Sequence, residues 1–302
     1  MLSQAPDWNT DGAEWPHRAH SQFLKAGNYT WHVQRMGAGP VALLIHGTGA
    51  STHSWAGLAP LLAKNFTTIS VDLPGHGFTK TARWSPPSLS SVSRSISESL
   101  SALDVKPALI IGHSAGAAIM IRMIRDGAVA PDHAVSINGA FTPFGGAAGI
   151  VFPAVAKALY YNPLTAYWFS RSAGDPKSVA KLIAKTGSKI SEPYIDCYAT
   201  LLRRPAHISG TLGMMAHWNL SGFAEAIKML TTPTLFIAGE ADKAVQPKDT
   251  EIAANLAPGG EQQLLTGLGH LAHEENPEII AELILSFASA EALRKSKTES
   301  DG

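Results

Sequence analysis

Short runs of apolar residues recur along the chain, and each stops at a glycine-rich or charged turn. Val41 to Ile45 ends at His46-Gly47, Thr67 to Val71 ends at Asp72, and Ala108 to Ile111 runs into Gly112. Ala134 to Ile137, Thr234 to Ala238 and Gln262 to Leu265 repeat the form. Val41 to Ile45, short and fully apolar, predicts a strand buried on both faces, and the other runs predict further strands. After Gly112 the segment Ala115 to Arg125 holds alanine, methionine and isoleucine at helical density, with Gly127 as its stop. Strands spaced by helices predict crossovers and a mostly parallel central sheet flanked by helices, an α/β fold.

The rhythm breaks between Asn138 and Lys228. No buried-strand run occurs there, while Phe141, Phe144, Phe152, Tyr160, Tyr161, Tyr167, Trp168, Phe169, Met214, Met215 and Trp218 crowd together. This predicts a helical lid at 138–228, inserted into a core made of 31–137 and 229–290. Residues 1–30 read as an N-terminal extension and 291–302 as a polar, flexible tail. Inside the lid, Asp175-Pro176 is an N-cap and first-turn pair. Behind it Lys177, Lys181 and Lys185 share one helical stripe, read as a solvated face, and Val179, Leu182 and Ile183 another.

Composition narrows the function classes. The 302 residues carry 24 basic and 24 acidic side chains, so no positive field draws nucleic acid. With 45% hydrophobic residues, global disorder is excluded. The single cysteine, Cys197, allows neither an intrachain disulfide nor a cysteine metal cage, which fits a reducing compartment. Met1 to Arg18 lacks the basic start and apolar run of a secretory signal, so the expected location is cytoplasmic. Gly145 to Phe169 has Lys157 as its single charge and is long enough to span a bilayer. Pro153, Asn162 and Pro163 would interrupt its backbone bonding in lipid, so no transmembrane span is expected. A buried or interface-facing lid with peripheral membrane contact is the reading that remains.

The chemistry concentrates at strand ends. Gly112-His113-Ser114-Ala115-Gly116 fits G-x-S-x-G between a strand and a helix, the placement that projects a nucleophilic serine from a tight elbow. Serine at its ordinary pKa needs a base within hydrogen-bond reach and an acid to orient that base. Asp242, in Gly239-Glu240-Ala241-Asp242, is the candidate acid, with Glu240 a local competitor that would more often hold the turn. Asn138, at the other strand end where such an acid can lie, is an amide. His270, on the glycine turn Gly267-Leu268-Gly269, is the candidate base. His273, beside Glu274 and Glu275, reads as a surface or capping histidine. The N–H groups of Ala115 and of Thr48, in His46-Gly47-Thr48-Gly49, are the candidate oxyanion donors. Phe141, Phe144, Met214, Met215 and Trp218 are the candidate apolar substrate contacts. The 12 histidines show no metal-ligand spacing, and no phosphate loop follows a strand, so neither a metal nor a cofactor is expected.

Together with Asp72-Leu73-Pro74-Gly75-His76-Gly77, these motifs resemble the α/β-hydrolase superfamily over about Trp31 to Ala288. More narrowly, Trp31 to Gln34, His46 to Trp55, Gly112 to Ala118, Asn138 to Ala140, Gly213 to Ala216 and Gly267 to Glu274 resemble the magnesium-chelatase accessory family (BchO type) of bacteriochlorophyll biosynthesis. That resemblance implies the α/β-hydrolase fold and a role around magnesium insertion into protoporphyrin, with magnesium-chelatase subunits as partners. Two functions follow: a serine hydrolase acting on an apolar substrate, a porphyrin among the candidates, or an accessory protein that binds porphyrin or docks on the chelatase. In the second, His207 or His217 could ligate magnesium. Between 138 and 226 eight basic residues face four acidic ones, a positive lid that could meet propionates.

Overall fold

The computed structural model describes residues 5–82, 87–142 and 157–300. Its strands are β1 (Ser21–Ala26), β2 (Tyr29–Met36), β3 (Val41–Ile45), β4 (Thr67–Val71), β5 (Lys80–Thr81), β6 (Pro107–His113), β7 (His133–Ile137), β8 (Thr234–Gly239) and β9 (Gly260–Leu265). They form one sheet in the order β1-β2-β4-β3-β6-β7-β8-β9, with β5 beside β2. The ladders of β4, β3, β6, β7, β8 and β9 are parallel, and β2 runs antiparallel to β1, β4 and β5.

Successive side chains of the central strands enter opposite cores, which is why the runs lack polar alternation. Leu43, Ile45, Ile110 and Phe236 join the core beneath α2 (Leu89–Ala102) and α3 (Ala115–Arg125). Ala42, Leu44, Ile111, Val135 and Ile237 join the other, beneath α1 (Leu58–Leu62) and the C-terminal helix. Between β7 and β8 the described residues hold helices and no strand: α4 (Pro163–Ala173), α5 (Pro176–Ala184), α6 (Glu192–Leu202), α7 (Pro205–His217) and α8 (Phe223–Lys228). Asn162 caps α4 through the N–H of Leu164, and Asp175 caps α5 through that of Ser178. On α5, Val179 and Ile183 are buried and Lys177, Lys181 and Lys185 exposed, whereas Leu182, placed on the apolar stripe, is 47% exposed. Beyond β8 come α9 (Pro247–Leu256), α10 (Ala272–Glu275) and α11 (Pro277–Ser300).

Two boundaries differ from the sequence reading. The sheet begins at Ser21, inside the stretch assigned to an N-terminal extension, and Trp15 is buried against Phe78 and His53. This segment is also tied to α7, because Arg204 pairs with Asp11. At the other end α11 continues to Ser300, so the polar tail from 291 is helical. Alanine, leucine, glutamate, arginine and lysine favour helix whether or not a core lies beneath them.

Candidate active site

β6 delivers Ser114 into a backbone conformation of φ 52° and ψ −118°, which a side-chain-bearing residue rarely adopts. The turn is held on both sides: Ser114 N–H donates to Ile137 O at 3.0 Å, and its carbonyl accepts from Ala117 and Ala140 N–H, each at 3.1 Å. Gly116 lets α3 pass the end of β3, since a Cβ there would meet Ile45 O at 2.0 Å. Gly47 does the same for the loop after β3, where a Cβ would sit 3.0 Å from Ser114 Cβ. These close approaches, not flexibility, are what the glycines supply.

His270 Nε2 lies 3.1 Å from Ser114 Oγ, and His270 Nδ1 lies 2.8 Å from Asp242 Oδ2. Asp242 Oδ1 accepts from the N–H groups of Ala244 and Val245 at 2.7 and 2.9 Å. Its Oδ2 also accepts from Asn138 Nδ2 at 2.7 Å. The carboxylate side chain is fully shielded from solvent, while the imidazole is 12% exposed. Glu240, the competitor, stands exposed at the end of β8. The histidine turn is fastened: Ala241 N–H donates to Leu268 O, Gly269 N–H to Glu275 Oε1, and Leu271 N–H to Ser188 Oγ. His113 adds a fourth hold, with Nε2 2.9 Å from His270 O.

Ala115 opens α3 and Thr48 follows Gly47, and neither N–H donates to another group among the described residues. Thr48 Oγ1 reaches Met214 Sδ at 3.7 Å, which sets α7 against this loop. Met215 and Trp218 are half-buried on the same segment. Phe141 is brought elsewhere: it stacks on Phe223 at 6.0 Å and meets the edge of Phe236, so its ring is a core residue. Phe144 lies outside the described residues.

The sequence matches the alpha/beta hydrolase family over residues 42–283. The chain belongs to that family. It is 35% identical over 277 residues to the magnesium-chelatase 30 kDa subunit of Rhodobacter capsulatus, covering 91% of this chain and 96% of that one. It is 27% identical to the 2-hydroxy-6-oxo-6-(2'-aminophenyl)hexa-2,4-dienoic acid hydrolase of Metapseudomonas resinovorans, covering 90% and 91%. A putative lipase from Acinetobacter baumannii shares the fold with a TM-score of 0.76 at 20% identity, covering 91% of this chain and 92% of that one.

Around this hydrolase-fold site lies a set of buried polar groups the sequence did not disclose. His273 is fully buried, not a surface or capping residue: its ring lies tilted against those of Trp55 and His113, with ring centres 4.6 and 4.4 Å away. Its Nε2 lies 2.8 Å from Ser54 Oγ, and Ser54 in turn donates to Glu274 Oε1, as Tyr198 does at 2.7 Å. Burial pushes the Glu274 carboxyl up to about 8, so at neutral pH it carries a proton. Burial likewise lowers His46, His53, His207 and His273 to about 3, His76 to about 4, and His113 well below its ordinary value. Six neutral histidines therefore line the loops around the elbow. His207 is fully engaged, Nδ1 accepting from Gly77 N–H and Nε2 facing Gly49 O, each at 3.1 Å, so it has no nitrogen left for a metal. Among the described residues no three histidine, cysteine or acidic side chains converge as a metal site.

Proposed function

We propose that the protein is a serine hydrolase that cleaves an ester or similar acyl bond of an apolar substrate, in tetrapyrrole metabolism around the magnesium-chelatase step. The hydrogen-bonded chain from Ser114 through His270 to Asp242 is the observation that carries this reading. Ser114 Oγ attacks the carbonyl carbon while His270 Nε2 takes its proton, and Asp242 orients the imidazole and stabilises the imidazolium. The charge on the carbonyl oxygen is received by the N–H groups of Ala115 and Thr48, each worth roughly 3 kcal/mol. His270 then returns the proton to the leaving group, and water cleaves the acyl-enzyme by the same steps. Met215 and Trp218 supply apolar contact for the substrate, while Met214, buried in the same core as Phe141, backs the Thr48 loop. The metabolic setting rests on the likeness to the Rhodobacter capsulatus subunit.

Intact mass after treatment with a fluorophosphonate tests it, wild type beside Ser114→Ala. A single adduct on wild type alone is expected. Folded wild type that takes no adduct overturns the catalytic reading.

A second reading, an accessory protein that binds a porphyrin and docks on the chelatase, is favoured by a groove of about 560 Å³ that does not include Ser114. Its walls include Tyr29, Phe78 and Tyr160, with Lys80 on its lining. Gly75 and Gly210 also line it, and their backbones pack too closely for a Cβ on either. Porphyrin titration discriminates: a spectral shift retained in Ser114→Ala supports binding apart from the serine, and no shift with any porphyrin overturns it.

A further inference from the structure

Helix α4 presents its apolar side to solvent. It packs against α7, α6 and α5 and buries Ser170, yet Leu164 is 53%, Tyr167 38% and Trp168 65% exposed, and Arg171 is exposed as well. These four occupy positions i, i+3, i+4 and i+7, so they form one stripe along one face. Just before the helix, Tyr161 is 65% exposed. Helices of soluble domains turn such a stripe towards the core, and an exposed cluster of large apolar groups marks an interaction surface.

Charge says what the surface meets. From Lys157 to Lys185 there are five basic residues and one acidic one, Asp175, whose carboxylate is engaged in capping α5. Extending the count to Arg204 gives eight basic against three acidic, with Arg204 paired to Asp11. The whole chain is balanced at 24 each, so this excess is local. A second copy of the chain joined through this face would set like charge against like charge across a two-fold axis. An anionic bilayer supplies both missing partners, acyl chains for the stripe and phosphates for the lysines. Tryptophan and tyrosine are the residues that favour the headgroup level, where an apolar ring body and a polar tip are both satisfied. At 11 residues α4 is too short to cross the hydrocarbon, and no helix among the described residues is long and apolar enough to do so.

We propose that α4 lies on the surface of an anionic lipid bilayer, with Tyr161, Leu164 and Trp168 entering the headgroup region and the lysines of α5 meeting lipid phosphates. Among the helices that pack on α4 is α7, and Met214 of α7 touches Thr48 beside the serine. Docking therefore brings the Ser114 site close to the bilayer, where apolar substrates are concentrated. The proposal does not depend on whether Ser114 turns over a substrate.

Co-sedimentation with vesicles tests it, using phosphatidylcholine alone and phosphatidylcholine with about 30% phosphatidylglycerol. Wild type should pellet with the anionic vesicles and be released in about 0.5 M salt, where surface charge is screened. Leu164→Ser/Trp168→Ser should lower partitioning about tenfold or more with unchanged circular dichroism, since both side chains are exposed in the folded protein. Lys177→Gln/Lys181→Gln/Lys185→Gln should abolish the preference for anionic lipid. Wild type that stays in the supernatant with both vesicles overturns the proposal, as does equal pelleting of all variants. A concentration-dependent dimer that Trp168→Ser dissolves would assign the face to a second copy and overturn it too. Fluorophosphonate labelling of each variant keeps this result separate from the fate of the hydrolase reading.

Discussion

Two clusters of serine, histidine and carboxylate lie side by side in this molecule, and His113 bridges them, its ring 4.8 Å from His270 and 4.4 Å from His273. In the first, Ser114 sits in a strained elbow at a helix start, its histidine is partly open to solvent, and its carboxylate accepts four N–H donors. In the second, Ser54 Oγ meets both His273 Nε2 and Glu274 Oε1, but Glu274 lies 3.8 Å from His273, so no carboxyl orients the imidazole, and all three are buried. The chemical groups are alike in the two, but the order of contact is not: histidine lies between serine and acid in the first, serine between histidine and acid in the second. Environment differs as well: low dielectric keeps Glu274 protonated and His273 neutral, so the second cluster has no anion to stabilise an imidazolium and no opening through which a substrate could arrive. A reactive serine needs access, a charged orienting acid and unengaged N–H donors, and these come from the fold around the three side chains.

The largest effect separates the two serines. Ser114→Ala should reduce turnover of an activated ester by about 10⁴-fold or more, the loss expected when a nucleophile that acts as a unit with its base is removed. Ser54→Ala should leave kcat within about threefold of wild type and cost about 1–2 kcal/mol of stability, because two buried partners lose a hydrogen bond. Steady-state kinetics and urea unfolding of both variants check this, and equal kinetic losses would erase the distinction.

Acid should act on the buried polar groups next. The six buried histidines are neutral when folded and bind protons when unfolded below about 6.5, so the unfolded state holds more protons and stability falls as pH drops from 6.5. Glu274 has the opposite sign: its folded pKa of about 8 lies above the ordinary 4.5, so its contribution is lost as pH rises from 4.5 to 8. Each proton is worth at most about 1.4 kcal/mol per pH unit, so at pH 5 to 6 six protons outweigh one. Thermal midpoints should peak near neutrality, fall steeply to pH 5 and decline gently to pH 8. A flat profile between pH 7 and 5 would mean that these histidines are not buried neutral.

Glu274 can then be probed alone. Glu274→Gln keeps the shape and the neutral charge of the protonated acid and should cost less than about 1 kcal/mol at pH 7, and it should remove the gentle alkaline decline. Glu274→Ala strands Ser54 and Tyr198 and should cost about 2–3 kcal/mol. If the two variants are equally destabilised, the carboxyl is ionised in the folded protein.

What the sequence disclosed follows the same division. Strands β3, β4, β6, β7 and β8 are legible because each is an apolar run with a sharp end, and Ser114, Asp242 and His270 are legible because they follow such ends. Strand β1, Ser-Gln-Phe-Leu-Lys-Ala, is an edge strand with most positions at least partly exposed, so it carries no apolar run and is held by its ladder to β2. His273 looks like a turn residue because its burial comes from Thr52–Trp55, distant in sequence and folded over it as a short 3-10 turn. The outward apolar stripe of α4 reads in sequence as part of a crowded aromatic segment, because periodicity marks a face but not its direction.

Asn138 gives the smallest and most specific test. Its position at the end of β7, with φ 48°, combines two properties: a backbone setting that asparagine and glycine tolerate, and an amide that donates to Asp242. Asn138→Gly keeps the first and removes the second, whereas Asn138→Ala removes both. Asp242 retains three other donors, so loss of the amide alone should lower kcat only a few-fold, with KM unchanged. The alanine variant should show the same kinetic loss and about 1 kcal/mol more instability from backbone strain. A glycine variant with wild-type kcat would show that the amide fills space beside the acid without holding it, and the Ser114 cluster would then be oriented by the Ala244 and Val245 N–H groups alone.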